Sequence, residues 1–551
     1  MCGIWAIFGS DEDVSVQCNA VHKITHRGPD AFRIENINHF RNCCLGFHRL
    51  AIVDDIKGMQ PMRLYTYPNI WLIYNGEIYN HELLEKEYDL QCSTTCDGEP
   101  IIHLYDKLGP EMAASQLDGV FAFCILDTAN RKVILGRDTY GIRPMFKLYN
   151  DNGFLAVCSE AKGLFGLSHT VSDAKAKIEP LLPGHIEVYD IDMHGKAKFL
   201  ERKRFHKIGD MPRYKSLAPA LSEDVKLNIR NLFEAAVKKR LMAERRIGCL
   251  LSGGLDSSLV AALLVKDAKK QKLSYPIQTF SIGLEGSPDI AAARTVSKYL
   301  GTEHHEVIFT PEEGVDAIEK VIYHLETYDI TTIRASVGMY LISKYISEKS
   351  DTVVILSGEG ADELAQGYIY FHKSPSAEEG DIESRRLLQD LYMYDVLRGD
   401  RTTSAWGLEI RVPFLDHIFT SYYLSIPPED RRPMKNVEKY LLRAAFSDTG
   451  LLPNDILWRP KEAFSDGVSS KTKSWFDIIQ SHCNEQINDD ELEQAANLYP
   501  FNTPKTKEAY YYRRIFEKSY PNKAEWIPYF WMPKWCKTSD PSARTLKHYK
   551  Q

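Results

Sequence analysis

No apolar run in this chain approaches the roughly 20 residues needed to span a bilayer. No block of Lys or Arg marks a surface for nucleic acid or an anionic membrane, so the expected partners are small molecules. The formal charge of -7 is slight over 551 residues, and 44% hydrophobic with 26% charged residues describes an ordinary soluble protein. The 11 cysteines are odd in number and scattered, with Cys43 beside Cys44, which argues against a secreted disulfide framework. Cys92 and Cys96 lack a second pair at metal-ligand spacing and read as small buried hydrophobes. The start of the chain has no basic flank and runs into Asp11-Glu12-Asp13, unlike a signal peptide. A reduced, cytosolic enzyme is the expectation. Two phosphate-binding patterns, G-x-x-x-x-G-K-[ST] and G-x-G-x-x-G, are also missing, which counts against a kinase-type loop and a dinucleotide-type loop.

The chain does contain Ile247-Gly248-Cys249-Leu250-Leu251 followed by Ser252-Gly253-Gly254-Leu255-Asp256-Ser257-Ser258. An apolar run of strand length, a Gly-Gly break and a resumption with helix formers predict strand, tight loop and helix. Such a loop turns successive N–H groups inward with the positive end of a helix dipole behind them, which makes an anion site. Asp256 would repel a bare phosphate, so its presence implies an intervening cation. Further on, 277–283 and 352–358 read as buried strands alternating with helices at 290–300 and 337–347. That alternation predicts a doubly wound parallel sheet with ligands at the C-terminal strand ends. Residues 1–205 instead show short strands (2–8, 50–53, 71–74, 120–126, 133–136) with helical patterning at 81–90 and 99–108. A polar stretch with Gly209, Pro212 and Pro219 marks a linker over 206–222, and 223–551 forms the second domain. Cys2 directly follows Met1. Once Met1 is removed, one residue carries both a thiol and an α-amine able to activate it.

The string Ser252 to Ser258 resembles the pyrophosphate loop of the ATP pyrophosphatases. Cys2-Gly3-Ile4, His26-Arg27-Gly28-Pro29-Asp30, His48-Arg49-Leu50-Ala51-Ile52-Val53-Asp54, Tyr74-Asn75-Gly76-Glu77 and Asp97-Gly98-Glu99 resemble the glutamine amidotransferases with an N-terminal cysteine. Ser357-Gly358-Glu359-Gly360-Ala361-Asp362-Glu363, Glu326 to Arg334, Glu409 to Asp416 and Trp458 to Gly467 are similar to the asparagine synthetases. The likeness covers nearly the whole chain. It implies an N-terminal αββα sandwich of the N-terminal nucleophile hydrolase type and a C-terminal doubly wound parallel sheet of the ATP pyrophosphatase type, an α/β and α+β architecture.

The resemblance also implies site roles. Cys2 is the thiol nucleophile; Asn75 and Gly76 form the oxyanion hole. Arg49 holds the glutamine α-carboxylate, Asp97 receives its ammonium, and Leu50, Ala51, Ile52, Val53 and Glu77 complete that pocket. Leu250 and Ile282 flank the adenine, while Ser252, Gly253, Gly254, Asp256, Ser257, Ser357 and Gly358 contact ATP. Asp256 and Asp362 are assigned to Mg²⁺, Lys461 to phosphate charge, and Glu359 to the proton released by attacking ammonia. Apart from the resemblance, Asp329 and Arg334 offer both signs within one loop-like segment and are the expected aspartate contacts, with a surface ion pair as the alternative reading. Gly136 to Pro144 and Ser159 to Lys162 match the family but receive no chemistry; a corner held by ion pairs is the expectation for the former. Asn75-Gly76 is at the same time the strongest hairpin signal in the chain. A ring-closing relative such as a β-lactam synthetase is disfavoured by the retained glutaminase residues, and a phosphoribosyl partner domain by the Ser252 loop. An adenylating amidotransferase acting on another carboxylate and an inactive scaffold remain the alternatives. Whether copies associate as a homo-oligomer is open.

Overall fold

The computed structural model describes residues 1–10, 14–40, 42–54, 56–167, 176–216, 218–461, 468–469, 474–538 and 540–541. The family string at Glu462 to Gly467 and most of the polar tail Thr538 to Gln551 therefore lie outside the described residues. The chain divides into two compact units. One comprises Met1–Leu217, Met242–Arg245 and Trp406–Glu409, and the other Ala218–Leu241, Arg246–Ala405 and Ile410–Gln551.

In the first unit, alternation within strands builds a sandwich. A six-stranded sheet runs Ala31–Asn36, Cys43–Arg49, Gly3–Phe8, Leu155–Cys158, Phe146–Tyr149, Lys177–Pro180. A five-stranded sheet runs Ala197–Arg204, His185–Ile191, Lys132–Arg137, Gly119–Asp127, Ile70–Ile78, and neighbouring strands are antiparallel in both. Ile4, Ala6 and Phe8 share one core with Ile73, Cys124, Leu126 and Val133 of the other sheet. Burying each such large aliphatic side chain contributes about 1.5–3 kcal/mol. Trp5, one residue out of phase, points the other way and donates its indole N–H to Gly163 O at 3.2 Å. Leu72, Tyr74 and Ile78 face outward onto the helix Glu99–Leu108 through Ile101, Ile102 and Leu104. Helices thus cover the outer faces, as the αββα expectation required.

Two local expectations are corrected. Residues 50–53 are not a strand: Cys43–Arg49 ends there because Ala51 N donates to the Asp30 side chain (2.8 Å) instead of to a neighbouring strand. Asn75-Gly76 is not a hairpin turn either. It lies inside the strand Ile70–Ile78, opposite Ala122 and Phe121. Glycine is required at 76 by crowding, since a Cβ would lie 2.1 Å from Val120 O.

The second unit is built on a sheet ordered Glu303–Ile308, Gln278–Gly283, Arg246–Leu250, Thr352–Leu356, Glu409–Arg411, with the first four strands parallel. Gln278–Gly283 and Thr352–Leu356 are buried throughout, as parallel strands covered on both faces must be. Polar Glu303–Ile308 escapes a hydrophobic-run search because it is a half-exposed edge strand. Side chains fix where the crossover helices begin. Ser287 caps Pro288–Leu300, and Thr310 with Glu313 closes a capping box on Pro311–Leu325.

Candidate functional site

In the first unit the geometry centres on Cys2. Strand pairing sets Gly3 opposite His48, so the residue before the strand meets the end of Cys43–Arg49. The Cys2 thiol lies 3.5 Å from Leu50 O, to which it donates, and 3.4 Å from Leu50 N, from which it accepts. Arg27 Nε donates to Cys2 O at 3.0 Å, and Arg27 Nη1 to Glu160 at 2.7 Å. Glu160 also meets His26 at 3.1 Å and Lys162. The Ser159 to Lys162 string is therefore an ion-pair anchor for the segment that carries Cys2. Burial pushes the Cys2 thiol up to about 11, so it needs a base at neutral pH; burial also lowers the Met1 α-amine to about 6.

Asn75 is fully buried, yet neither its Oδ1 nor its Nδ2 has a hydrogen-bond partner. A buried amide left unmatched on both atoms costs stability, which is the mark of a group kept for a ligand. Asp97 sits beyond it, also buried, with Tyr74 Oη donating to Oδ1 (2.8 Å) and Ile78 N to Oδ2 (2.7 Å). Burial raises its pKa against those two bonds. Arg49 donates to Asp54 O, and Asp54 in turn accepts from Lys57 N (2.8 Å) and Thr95 N (2.9 Å), which ties the 50–58 loop to the one carrying Asp97. Ile52 O accepts from Glu244 N at 2.9 Å. Cys92 lies with Glu99 and His103 within 4.8 Å, but Glu99 accepts from Ser93 (2.7 Å) and Thr94 (2.8 Å), which makes it a loop anchor. The Gly136 to Pro144 corner is held by side chain–backbone bonds together with a buried ion pair, Arg143 to Glu409 at 3.4 Å. Asp138 accepts from the N–H groups of Phe121, Tyr140, Ile142 and Arg143, and Arg137 donates to the carbonyls of Gly141, Arg143 and Leu181.

In the second unit a cavity of about 270 Å³ opens at the strand ends. Leu250, Ser252, Gly254, Asp256, Ser257, Ile282, Ser357, Gly358, Glu359, Asp362 and Lys461 all line it, most of them at the ends of three neighbouring strands or just beyond. Gly253 turns the loop with φ 75°, and Gly254 opens the 17-residue helix Leu255–Gln271 without a side-chain cap, leaving its first N–H groups toward the cavity. Lys461 Nζ is 2.6 Å from Asp362 Oδ2. Burial by itself would lower the Lys461 pKa, but the Asp362 and Asp256 carboxylates overcome it and raise the pKa above its ordinary value. Glu359 is held up at about 7 by burial, although Arg398 Nη2, 2.6 Å away, pulls it down.

The structure adds residues that sequence reasoning missed. Lys439 Nζ lies 2.5 Å from Asp256 and 2.5 Å from Asp362. Arg398 joins Glu359 to Asp395 (3.0 Å), and Tyr368 Oη lies within hydrogen-bond distance of both Asp395 (3.0 Å) and Glu363, its single proton serving one of them at a time. Arg398 and Lys439, 39 and 183 positions from Glu359 and Asp256, carry no local signal, and Tyr368, five positions past Glu363, is one aromatic among many. The Asp329–Arg334 expectation is corrected. The segment begins the helix Ile330–Lys349, and Asp329 is spent as its cap, accepting from Thr332 N (2.9 Å) and from Trp531 N (2.8 Å). Arg334 lines the cavity, but Glu508 (2.5 Å) and Asp540 (2.7 Å) already match its charge. The pair offers no open pocket of two signs.

A family model described as "Asparagine synthase" matches residues 228–386 and 381–539, and one described as "Glutamine amidotransferase domain" matches residues 1–192. The chain is 62% identical to a glutamine-hydrolyzing asparagine synthetase of Gallus gallus, over 100% of this chain and 99% of that relative. It is 60% identical to the Mus musculus and 59% to the Homo sapiens proteins of that name, with the same coverage.

Proposed function

The chain belongs to the glutamine-hydrolysing asparagine synthetases, and we propose that its two sites divide the reaction between a thiol in the first unit and an adenylating cleft in the second. The overall reaction takes aspartate, glutamine and ATP to asparagine, glutamate, AMP and pyrophosphate. The observation that carries the division of labour is the convergence of Asp256, Asp362 and Lys461 on a cleft at parallel strand ends, in a chain that also keeps the buried, unmatched Asn75. A mass-balance assay tests it. With glutamine and ATP present, aspartate should yield equal amounts of asparagine, AMP and pyrophosphate, while glutamate or other carboxylates offered as acceptors should yield none.

In the first half-reaction the Cys2 thiolate attacks the glutamine amide carbon. Its own α-amine, exposed by removal of Met1, takes the thiol proton. Charge on the amide oxygen falls to Asn75 Nδ2 and Gly76 N–H. Arg49 receives the α-carboxylate in its bidentate fork and Asp97 the ammonium. Leu50 to Val53 and Glu77 wall the pocket. Ammonia leaves, and water releases glutamate from the thioester. Asn75→Ala should lower glutamine hydrolysis by about 100- to 1,000-fold without a loss of thermal stability, since it removes unmatched polar atoms; melting and glutamate release measured together check this.

In the second, a β-carboxylate oxygen of aspartate attacks the α-phosphorus of ATP and pyrophosphate leaves. Leu250 and Ile282 pack on the base, and Ser252 to Ser257 with Ser357 and Gly358 surround the phosphates. Lys461 offsets phosphate charge as it builds up on the leaving group. Mg²⁺ fits the donor set: Asp256 and Asp362 are hard oxygen ligands, and Asp256 Oδ1 is buried with no hydrogen-bond partner. Bound there, the ion would screen phosphate charge. Ammonia then attacks the β-aspartyl-AMP carbonyl, AMP leaves, and Glu359 accepts the proton that the new amide sheds. With its pKa near 7, Glu359 is an effective acceptor only above that pH, so kcat for synthesis should fall about tenfold per pH unit below it. Arg398→Met removes the cation that favours the ionised form, so this acid limb should move to higher pH. The profile, with glutamate release followed in parallel to show that ammonia supply is not limiting, reads the shift.

A further inference from the structure

Lys439 is the one cation that touches both carboxylates assigned to the metal, among the described residues. Its side chain is 1% exposed, and Nζ lies 2.5 Å from Asp256 Oδ2 and 2.5 Å from Asp362 Oδ1. The position is built into the backbone. Lys439 is left-handed, φ 54°, immediately ahead of the helix Tyr440–Phe446. Gly367 provides the room: a Cβ there would lie 2.0 Å from Lys439 Cε and 2.0 Å from Asp362 Oδ1. Gly367 N in turn donates to the Asp362 backbone carbonyl at 2.8 Å, which fixes the glycine against the residue whose side chain it accommodates. A buried ammonium shared by two acids through these contacts is a cation site filled by the protein itself.

We infer that Lys439 is a positioning residue that stands in for the divalent cation between Asp256 and Asp362 and yields both carboxylates when the cation arrives with the nucleotide. The inference rests on the proposed assignment of these two acids to Mg²⁺. Lys439 and Lys461 between them hold Asp256 Oδ2 and both oxygens of Asp362, which leaves Asp256 Oδ1 open. A divalent ion that binds both acids at about 2.0–2.1 Å with near-octahedral geometry must therefore displace an ammonium from Asp362, and its charge opposes the shared Lys439 at Asp256 as well. Without phosphates, displacing Lys439 would leave its charge buried beside two further positive charges on the ion. With phosphates, the ammonium has new oxygen partners and the exchange balances: the ion takes the carboxylates, and the lysine takes phosphate. Metal entry is thereby coupled to nucleotide entry. The stand-in also keeps Asp256 and Asp362 from repelling each other until then.

Mn²⁺ binding, read by electron paramagnetic resonance on the full-length enzyme with and without a non-hydrolysable ATP analogue, tests this. The wild type should bind Mn²⁺ at least tenfold more weakly without the analogue than with it. Lys439→Met should raise analogue-free Mn²⁺ affinity at least tenfold, and Lys439→Arg, which keeps the charge, should not. Adding Asp256→Asn to Lys439→Met should abolish the gain. Tight stoichiometric Mn²⁺ binding by the wild type without the analogue overturns the inference, and does so even if Lys439→Met fails to fold. No gain in Lys439→Met, with Asp256→Asn still weakening analogue-dependent binding, overturns the role of Lys439 alone. Mn²⁺ binding indifferent to Asp256→Asn in every background overturns the metal assignment itself.

Discussion

Cys2→Ala should end asparagine synthesis from glutamine, a fall of at least about 1,000-fold, while synthesis from ammonium salts continues with AMP and pyrophosphate as products. The thiol is the atom that forms the thioester, and its hydrogen bonds go to Leu50 backbone groups. Removing it therefore takes away the nucleophile and little else. Ala is tolerated beside a strand at modest cost, and the anchor that holds this segment, Arg27 to Cys2 O, is made to the backbone. The ammonia-dependent assay needs a pH high enough to supply free ammonia. Retained glutamine-dependent turnover would remove Cys2 from the chemistry. Loss of ammonia-dependent turnover in a folded variant would mean that the two activities cannot be separated along the chain.

Asp256→Asn should do the reverse. Pyrophosphate release should fall by about 100- to 1,000-fold, the range lost with one charge-stabilising group in a preorganised site, with glutaminase activity persisting. Asn keeps the shape of the side chain but withdraws a negative charge that meets Lys439 at 2.5 Å and also helps hold Lys461 protonated. The cleft then keeps its cations without one of the carboxylates that orient them. Pyrophosphate release at the wild-type rate would take Asp256 out of the adenylating machinery.

Both effects could be anticipated from the sequence because the chemistry most dependent on backbone is written contiguously. A phosphate loop is a strand end, a Gly-Gly turn and a helix start, so Ser252 to Ser257 declares itself within six residues. Its three-strand setting followed from buried runs of strand length. Lys439, Arg398 and Tyr368 were illegible for the opposite reason. Each is an ordinary polar residue that acquires meaning only when the fold brings it against Asp362, Glu359 or Glu363, and Lys439 further depends on the space that Gly367 leaves. Asp329 and Arg334 show how composition misleads: two opposite charges five positions apart suggest a pocket, but one is a helix cap and the other is neutralised by Glu508 and Asp540, from 174 and 206 positions away. Leu50 to Val53 shows a related error in the backbone. The segment has the residues of a strand, but Asp30 takes the Ala51 N–H and the loop is pulled toward Cys2.

The central claim, that the β-carboxylate of aspartate is activated by transfer of AMP, is tested most directly by isotope. Aspartate labelled with ¹⁸O in its side-chain carboxylate, supplied with glutamine and ATP, should deliver one labelled oxygen to AMP and none to pyrophosphate, because the oxygen that attacks the α-phosphorus departs with AMP when ammonia displaces it. Unlabelled AMP alongside newly formed asparagine, or label appearing in inorganic phosphate with ADP, would contradict it.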